Sequence, residues 1–352
     1  MSRALISDGL RDTHVCGHSA CLLLSGAAVL LAGTSPPARA ADSAPLVLET
    51  KISLGTVRGR IDHLAYDPGR QYVYVAELGN DTVGVVDLKE GKTVRTLTGL
   101  SHPQGIGYVR SSDTVYVANA GDGSVRLFRG SDLAPAGQIA LGEDADNVRV
   151  DDAAHRVFVG YGNGALAVID ATRQQKVSDM RLNAHPESFQ LARDRQRIFV
   201  NVPDAGEITV AYRDGRQTNT TWVTNGPRAN FPLALDESGG RLFTVFRHPP
   251  TVGVIDERSG RLLATLATCG DSDDVFFSPT RHQLYVICGE GFVDVFSQTD
   301  DQLRLQSHIA TVAGARTGLF VTDLDRLVLA VRATGSIEAS VWVFRPNVNA
   351  DR

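Results

Sequence analysis

The chain has 352 residues, 43% of them hydrophobic, with 35 basic against 40 acidic side chains and a net charge of −5. Such a balance excludes a general electrostatic grip on nucleic acid, which needs a basic stripe. It also excludes the low-hydrophobicity, high-charge class of disordered chains.

The first 40 residues stand apart from the rest of the chain. Cys21 to Gly33 is an apolar run, followed by Pro36-Pro37 and by Ala38-Arg39-Ala40. An apolar core ending in an A-x-A site predicts a secretory signal peptide cleaved before Ala41, and hence a periplasmic or secreted protein. The run is too short to span a bilayer, which takes about 20 residues. The segment ahead of it is long and carries Asp8 and Asp12 against Arg3 and Arg11, with no twin-arginine pair. Neither Cys16 nor Cys21 follows the apolar core, which argues against a lipoprotein anchor. Removing the leader leaves residues 41–352 with 32 basic and 38 acidic side chains, a net of −6.

Beyond the leader, one alternating run recurs seven times: Tyr72–Ala76, Thr114–Ala118, Arg156–Gly160, Arg197–Asn201, Arg241–Val245, Gln283–Ile287 and Arg326–Ala330. Their centres are Tyr74, Tyr116, Phe158, Phe199, Phe243, Tyr285 and Val328, with steps of 42, 42, 41, 44, 42 and 43 residues. A fixed period of this length with period-2 alternation inside it predicts an all-β, seven-bladed β-propeller forming a single domain over 41–352.

Blade 1 shows the four-strand pattern: Ile61–Asp67, Tyr72–Glu77, Thr82–Asp87 and Thr93–Leu97, with turns at Pro68-Gly69 and Lys89–Lys92. The third strand recurs at Ser124–Phe128, Ala165–Asp170, Glu207–Ala211, Thr251–Asp256 and Phe292–Phe296. Blade 7 offers Thr317–Val321, Arg326–Val331 and Ser340–Phe344, but no outer strand. A spare strand, Leu46–Leu54, precedes blade 1. Pairing it onto blade 7 would close the ring and remove two exposed sheet edges; the alternative is a frayed N-terminal arm.

Tyr116-Val-Ala-Asn119, the Val-x-Val-Ile-Asp third strands and the His102-Pro103 and His185-Pro186 pairs make the chain resemble the YncE-like, YVTN-repeat β-propellers over Leu46 to Pro346. The resemblance implies an exported bacterial propeller. Related propellers include lactonases, lyases and the heavy chain of quinoprotein amine dehydrogenase, so it implies architecture more closely than activity.

In a propeller, the loops leading into the innermost strands gather at one mouth of the central channel, the concave surface fed by every blade. Here those segments carry Arg60, Arg228 and Arg316 beside Asp62, Asp146, Asp273 and Asp274, with His63, His102, His185, Asn147, Glu187 and Asn230 among them. Opposing loops add Glu77, Arg247, His248, Glu290 and Arg332. The arginine forks suit a planar carboxylate or phosphate. The same charges can instead pair with one another as a wet plug.

For a divalent metal, His63, His102 and His185 with Asp62, Asp146 or Glu187 offer nitrogen and oxygen donors, but without the tight spacing of a dedicated site. Glu77, Asn147, Asn230 and Asp273 offer an oxygen set of the calcium type. No cofactor is expected. Trp222 and Trp342 are too few for a ring cradling a quinone, and Asp271–Asp274 lacks the Gly and Glu of an EF-hand loop. Gly91-Lys92-Thr93 is a hairpin turn rather than a phosphate loop, and no nucleophile elbow or H-E-x-x-H occurs.

Two cysteines remain after the leader. With a turn centred between Pro279 and His282, Cys288 is placed opposite Asp273, and Cys269 lies four residues before Asp273. An exported chain with this pair in one blade is expected to oxidise it, closing a 20-residue loop worth about 3 kcal/mol; the alternative is two half-buried thiols. The reading is therefore a monomeric propeller binding a small anionic or polar ligand, or a protein partner, at the channel mouth. A lactonase- or lyase-type enzyme using His63, His102 or His185 as base is the first alternative. A non-catalytic interaction scaffold is the second.

Overall fold

The alternating runs become the second strand of each blade because period-2 alternation buries one face of a strand in each of two neighbouring seams. The structure is a computed structural model describing residues 44–194, 196–213, 219–299 and 302–347. The expected leader and its cleavage point lie outside the described residues.

Seven four-stranded antiparallel sheets follow one another along the chain. Their innermost strands are Leu64–Asp67, Pro103–Val109, Ala145–Asp151, Phe189–Leu191, Arg228–Asp236, Ser272–Ser278 and Gly318–Val321. Six sheets use four consecutive strands. In the seventh, Leu46–Ser53 pairs antiparallel with Ser340–Pro346, from Leu46 opposite Pro346 to Ser53 opposite Ser340. The ring is thus closed by the N-terminal strand. Glu49 falls in a bulge of that pairing, and its carboxylate accepts from Arg326 Nη2 at 3.1 Å and Arg345 Nε at 2.9 Å.

The core is distributed into seven apolar clusters between neighbouring blades rather than one central mass. All seven central residues, from Tyr74 to Val328, are fully or almost fully buried. In several seams the central aromatic meets an aromatic from the innermost strand of the next blade. Tyr74 meets Tyr108 with centroids 6.2 Å apart, Phe243 meets Phe277 at 5.3 Å and Tyr285 stacks on Phe320 at 5.2 Å. Offset and tilted contacts of this kind add about 0.5–1.5 kcal/mol beyond area burial.

Cys269 and Cys288 form the disulfide, with Cα atoms 5.8 Å apart. The expected register differs by one residue. Cys288 lies opposite Ser272, because a bulge between Ser272 and Asp274 lifts Asp273 out of the ladder. The innermost strand of blade 1 is also shorter than expected, beginning at Leu64 instead of Ile61. Among the described residues, no helix is long and apolar enough to cross a membrane.

Candidate functional site

The innermost strands enter the channel from one rim, the mouth rim, and end at the far rim. Four of the seven carry a ladder irregularity just inside the mouth: between Pro103 and Ile106, Ala145 and Val148, Asn230 and Leu233, and Ser272 and Asp274. A bulge leaves its extra residues unpaired and re-aims their side chains. Asp146, Asn147 and Asp273 occupy these gaps, which is how three polar side chains come to stand at the axis.

The mouth holds a dense charge cluster. Arg60 Nη2 lies 2.9 Å from Asp62 Oδ2, and His63 sits between Asp62, 3.7 Å from Nε2, and Asp274, 3.5 Å from Nδ1. Asn147 Nδ2 approaches His63 Nε2 at 3.2 Å. His185 Nε2 is 3.9 Å from Asp146 Oδ2, while its Nδ1 meets the Gly162 carbonyl at 2.6 Å. Arg316 contacts Asp271 at 2.9 Å and Asp273 at 3.5 Å. Arg247 pairs with Asp273, donates to the Ser272 carbonyl at 3.1 Å and stacks 3.6 Å over the Phe231 ring.

These carboxyls behave unlike surface acids. Burial raises Asp62 to about 7; His63 and Arg60 pull it down, while Asp146 and Asp273 push it further up. Burial likewise raises Glu187 to about 7, with Asp146 and Asp273 adding to the rise against His185 and Arg247. Asp273 is raised by burial against four opposing cations. The imidazoles go the other way: burial would discharge His63, but Asp274, Asp62 and Asp146 lift it to about 10. Burial also opposes the charge on His185, which Asp146, the Gly162 carbonyl and Asp144 nevertheless lift to about 9. At neutral pH both histidines are therefore hydrogen-bond donors rather than general bases. Two carboxyls poised near neutrality mean that burial and like-charge crowding outweigh the neighbouring cations.

Behind His63 and Asp274 the axis opens into a cavity of about 310 Å³. Its polar lining adds Arg149 and Gln190, and its walls include Ile106, Tyr108, Val148, Phe276 and Phe320. Arg149 donates to Asn147 Oδ1 at 3.2 Å, to the Val148 carbonyl at 2.9 Å and to Ser188 Oγ at 3.4 Å. No carboxylate of the described residues lies within ion-pair distance of it, and burial holds it below its ordinary value. A guanidinium hydrogen-bonded only to neutral acceptors, beside an apolar wall, has the donor geometry that suits a carboxylate or similar oxyanion.

The structure brings Arg60, Asp62, His63, Asp146, Asn147, His185, Glu187, Asp273, Asp274 and Arg316 together. It does not bring in His102, Arg228 or Asn230. His102 is exposed at a left-handed backbone position (φ 47°) just before its strand, and the same turn geometry recurs at Asp144 and Asp271. Its place is set by the turn, and its N–H donates to Asp81 Oδ1 at 2.7 Å. Arg228 is exposed and makes no ion pair among the described residues. Asn230 is fully buried, donating to Asn201 Oδ1 and the Glu207 carbonyl, each at 3.0 Å, so it joins two blades.

Arg149 and Gln190 escape a sequence reading because one polar residue in an alternating strand normally marks the solvent face. The available signal is their register: both stand opposite a central aromatic, Phe158 and Phe199, where other blades carry Ala65, Gly107, Ala234, Phe276 and Leu319. The mixed His and acid donor set proposed for a metal is not assembled, since His102 stands apart. Among the described residues, no group of three or more His, Cys, Asp or Glu side chains has metal-holding geometry.

No protein-family model matches the chain, and no curated protein matches it in sequence. Solved structures match it in shape. A chain of a mitotic checkpoint complex is similar with a TM-score of 0.70 at 14% identity, over 92% of this chain and 98% of that one. A chain of hydrazine synthase from Kuenenia stuttgartiensis is similar with a TM-score of 0.58 at 15% identity, over 71% of this chain and 83% of that one. At such identities the likeness shows the propeller fold and nothing of activity.

Proposed function

We propose that this chain is an exported, YncE-like β-propeller that binds a small anionic or polar ligand on its axis and performs no chemistry on it. The observation that carries this reading is Arg149, a guanidinium lining the axial cavity whose hydrogen bonds all go to neutral acceptors, with Asp274 and Asp146 acting on it from beyond ion-pair distance. A ligand carboxylate would complete its two-pronged hydrogen bonding, with protonated His63 as a further donor and Phe276, Phe320 and Tyr108 facing the ligand's carbon skeleton. The Tyr116–Asn119 motif and the leader pattern support family and export. The Cys269–Cys288 disulfide supports an oxidising compartment. Binding is favoured over lactone hydrolysis by a histidine base because His63 and His185 are held protonated and His102 stands outside the mouth.

The test is a thermal-shift and calorimetric screen of small mono- and dicarboxylates and phosphates against the chain without its leader. A hit must weaken at least about tenfold in Arg149→Met, the loss of roughly one charge-assisted bond. Affinity unchanged in that variant, or no hit in a broad anion panel, would sink the proposal. Turnover of a lactone, abolished by His63→Ala, would replace it with the enzyme reading.

A further inference from the structure

The mouth rim contains a feature that an axial anion does not explain. Asp62, Asp146, Glu187 and Asp273 all act on the Arg60 guanidinium, and Asp146 and Asp273 each act on both Asp62 and Glu187. The four carboxyls share the mouth: Asp62 lies 2.9 Å from Arg60, Asp146 3.9 Å from His185, two residues before Glu187, and Asp273 3.5 Å from Arg316. Their acceptors are not used up: Asp146 Oδ1 lacks any hydrogen bond although Asp146 is only 7% exposed, and Asp62 Oδ2 is met by the Arg60 guanidinium alone. The Glu187 carboxyl has no hydrogen-bond or ion-pair partner among the described residues. Buried acceptors left unmade are costly, about 1–3 kcal/mol each for neutral groups and more when charged, so such a set persists where a ligand completes it.

Against this acceptor set stands one loosely held cation. The Arg60 side chain is 47% exposed, and its one ion contact is Asp62 at 2.9 Å. Its backbone, in contrast, is pinned: Gly79 N–H donates to the Arg60 carbonyl at 2.9 Å, and Arg58 N–H to Asn80 Oδ1 at 3.0 Å. The guanidinium can leave the mouth by side-chain rotation alone. Arg247 and Arg316 lack that freedom, each being shared between Asp271 and Asp273.

We propose that the mouth is a binding site for a small organic cation, a guanidinium or primary ammonium compound, and that Arg60 occupies it as an internal surrogate which the ligand displaces. An organic cation fits better than a metal ion because the acids ring a space without the close three-donor geometry a metal demands. Planar or tetrahedral N–H donors satisfy scattered carboxylate oxygens at hydrogen-bond distance. The site is separate from the axial cavity and does not depend on an anion binding there. The carboxyls raised toward neutrality agree with buried acids whose neighbouring cations do not offset burial and mutual repulsion.

Methylguanidinium is the probe, titrated calorimetrically into the chain without its leader as wild type, Arg60→Ala and Arg60→Ala with Asp146→Asn. Removing the competing side chain is expected to tighten methylguanidinium binding roughly tenfold over wild type, as when a site is about nine-tenths self-occupied. The double variant is expected to lose that binding; if it does not fold, Arg60→Ala with Glu187→Gln takes its place. No binding to Arg60→Ala, equal affinity in wild type and Arg60→Ala, or binding indifferent to the acid substitutions would each overturn the inference. Heat from calcium in place of methylguanidinium would overturn the organic-cation assignment. The anion screen on the same wild-type preparation separates the two readings: anion binding with no methylguanidinium response defeats this inference alone.

Discussion

At the far rim, Arg70 bridges Asp67 at 2.7 Å and Asp113 at 2.8 Å, tying blade 1 to blade 2. Arg281 Nε does the same from blade 6 to Asp325 of blade 7 at 2.9 Å, and Arg213 reaches Asp151 of the preceding blade. At the mouth rim the same residue types meet in a crowd instead of in pairs. The titration directions record the difference. Asp113 and Asp325 are lowered, each chiefly by its arginine, whereas Asp62, Glu187 and Asp273 are raised, chiefly by burial. One rim uses its charges to lock seams; the other gathers buried acids and cations whose titration burial perturbs, a pattern that marks a candidate site rather than a lock.

That contrast can be attacked from several sides. Removing the staple under the mouth, with Cys269→Ser and Cys288→Ser together, should lower unfolding free energy in urea by about 3 kcal/mol, the chain-entropy value for a loop of 20 residues. A loss near zero would mean that the mouth segment is held by its ladder alone. Arg70→Met should cost about 2 kcal/mol by the same measurement, because it strands buried Asp67. Its mouth counterpart Arg60→Met should cost under about 1 kcal/mol, since the side chain is half in water. Equal losses at the two positions would erase the distinction between lock and site.

The opposite sign is expected at Asp62. In the folded chain Asp62 and Glu187 titrate near 7, against ordinary values of 3.8 and 4.5. The folded state thus holds more protons than the unfolded state in that window, and stability falls as pH rises from about 4 to 7. His63 and His185, raised from 6.5 to about 10 and 9, contribute fully below 6.5 and lose that contribution as pH climbs through those values. The melting temperature should therefore decline steadily from pH 5 to pH 9. Asp62→Asn should stabilise by about 1–2 kcal/mol at pH 8 and do nothing at pH 4, flattening the slope. A melting temperature rising with pH would contradict the buried-acid account. The smallest effects belong to His102→Ala and Arg228→Ala, each within about 0.5 kcal/mol in melts and without effect on binding.

The ring itself is legible in the sequence because it is periodic. Alternation at Tyr74 and its six counterparts, the surplus strand ahead of blade 1 and two cysteines in one blade each follow from local pattern plus edge pairing. The site is legible only as a neighbourhood. Bulges inside four innermost strands decide which polar side chains reach the axis, and a one-residue slip in the ladder leaves no mark in composition. That slip moves Asp273 off Cys288 and into contact with Arg247. Arg149 escapes notice because charge on an alternating strand ordinarily faces water, and His102 draws it because His-Pro reads as a ligand when it is a turn. Polarity at a rim marks where binding is geometrically possible, and the bulges decide which of those residues stand there.

The pairing of Leu46 with Pro346, together with the Asn347 N–H bonded to the Pro45 carbonyl at 2.8 Å, brings two sequence-distant stretches within one short turn of each other. Transplanting the Leu46–Ser53 segment to follow Pro346 through such a turn would make the last blade an ordinary up-and-down meander like its six siblings. The molecule is in this sense already cyclic in all but covalent bond. A permuted chain opened between any two blades should fold to the same ring, leaving the axial cavity and its rim unaltered.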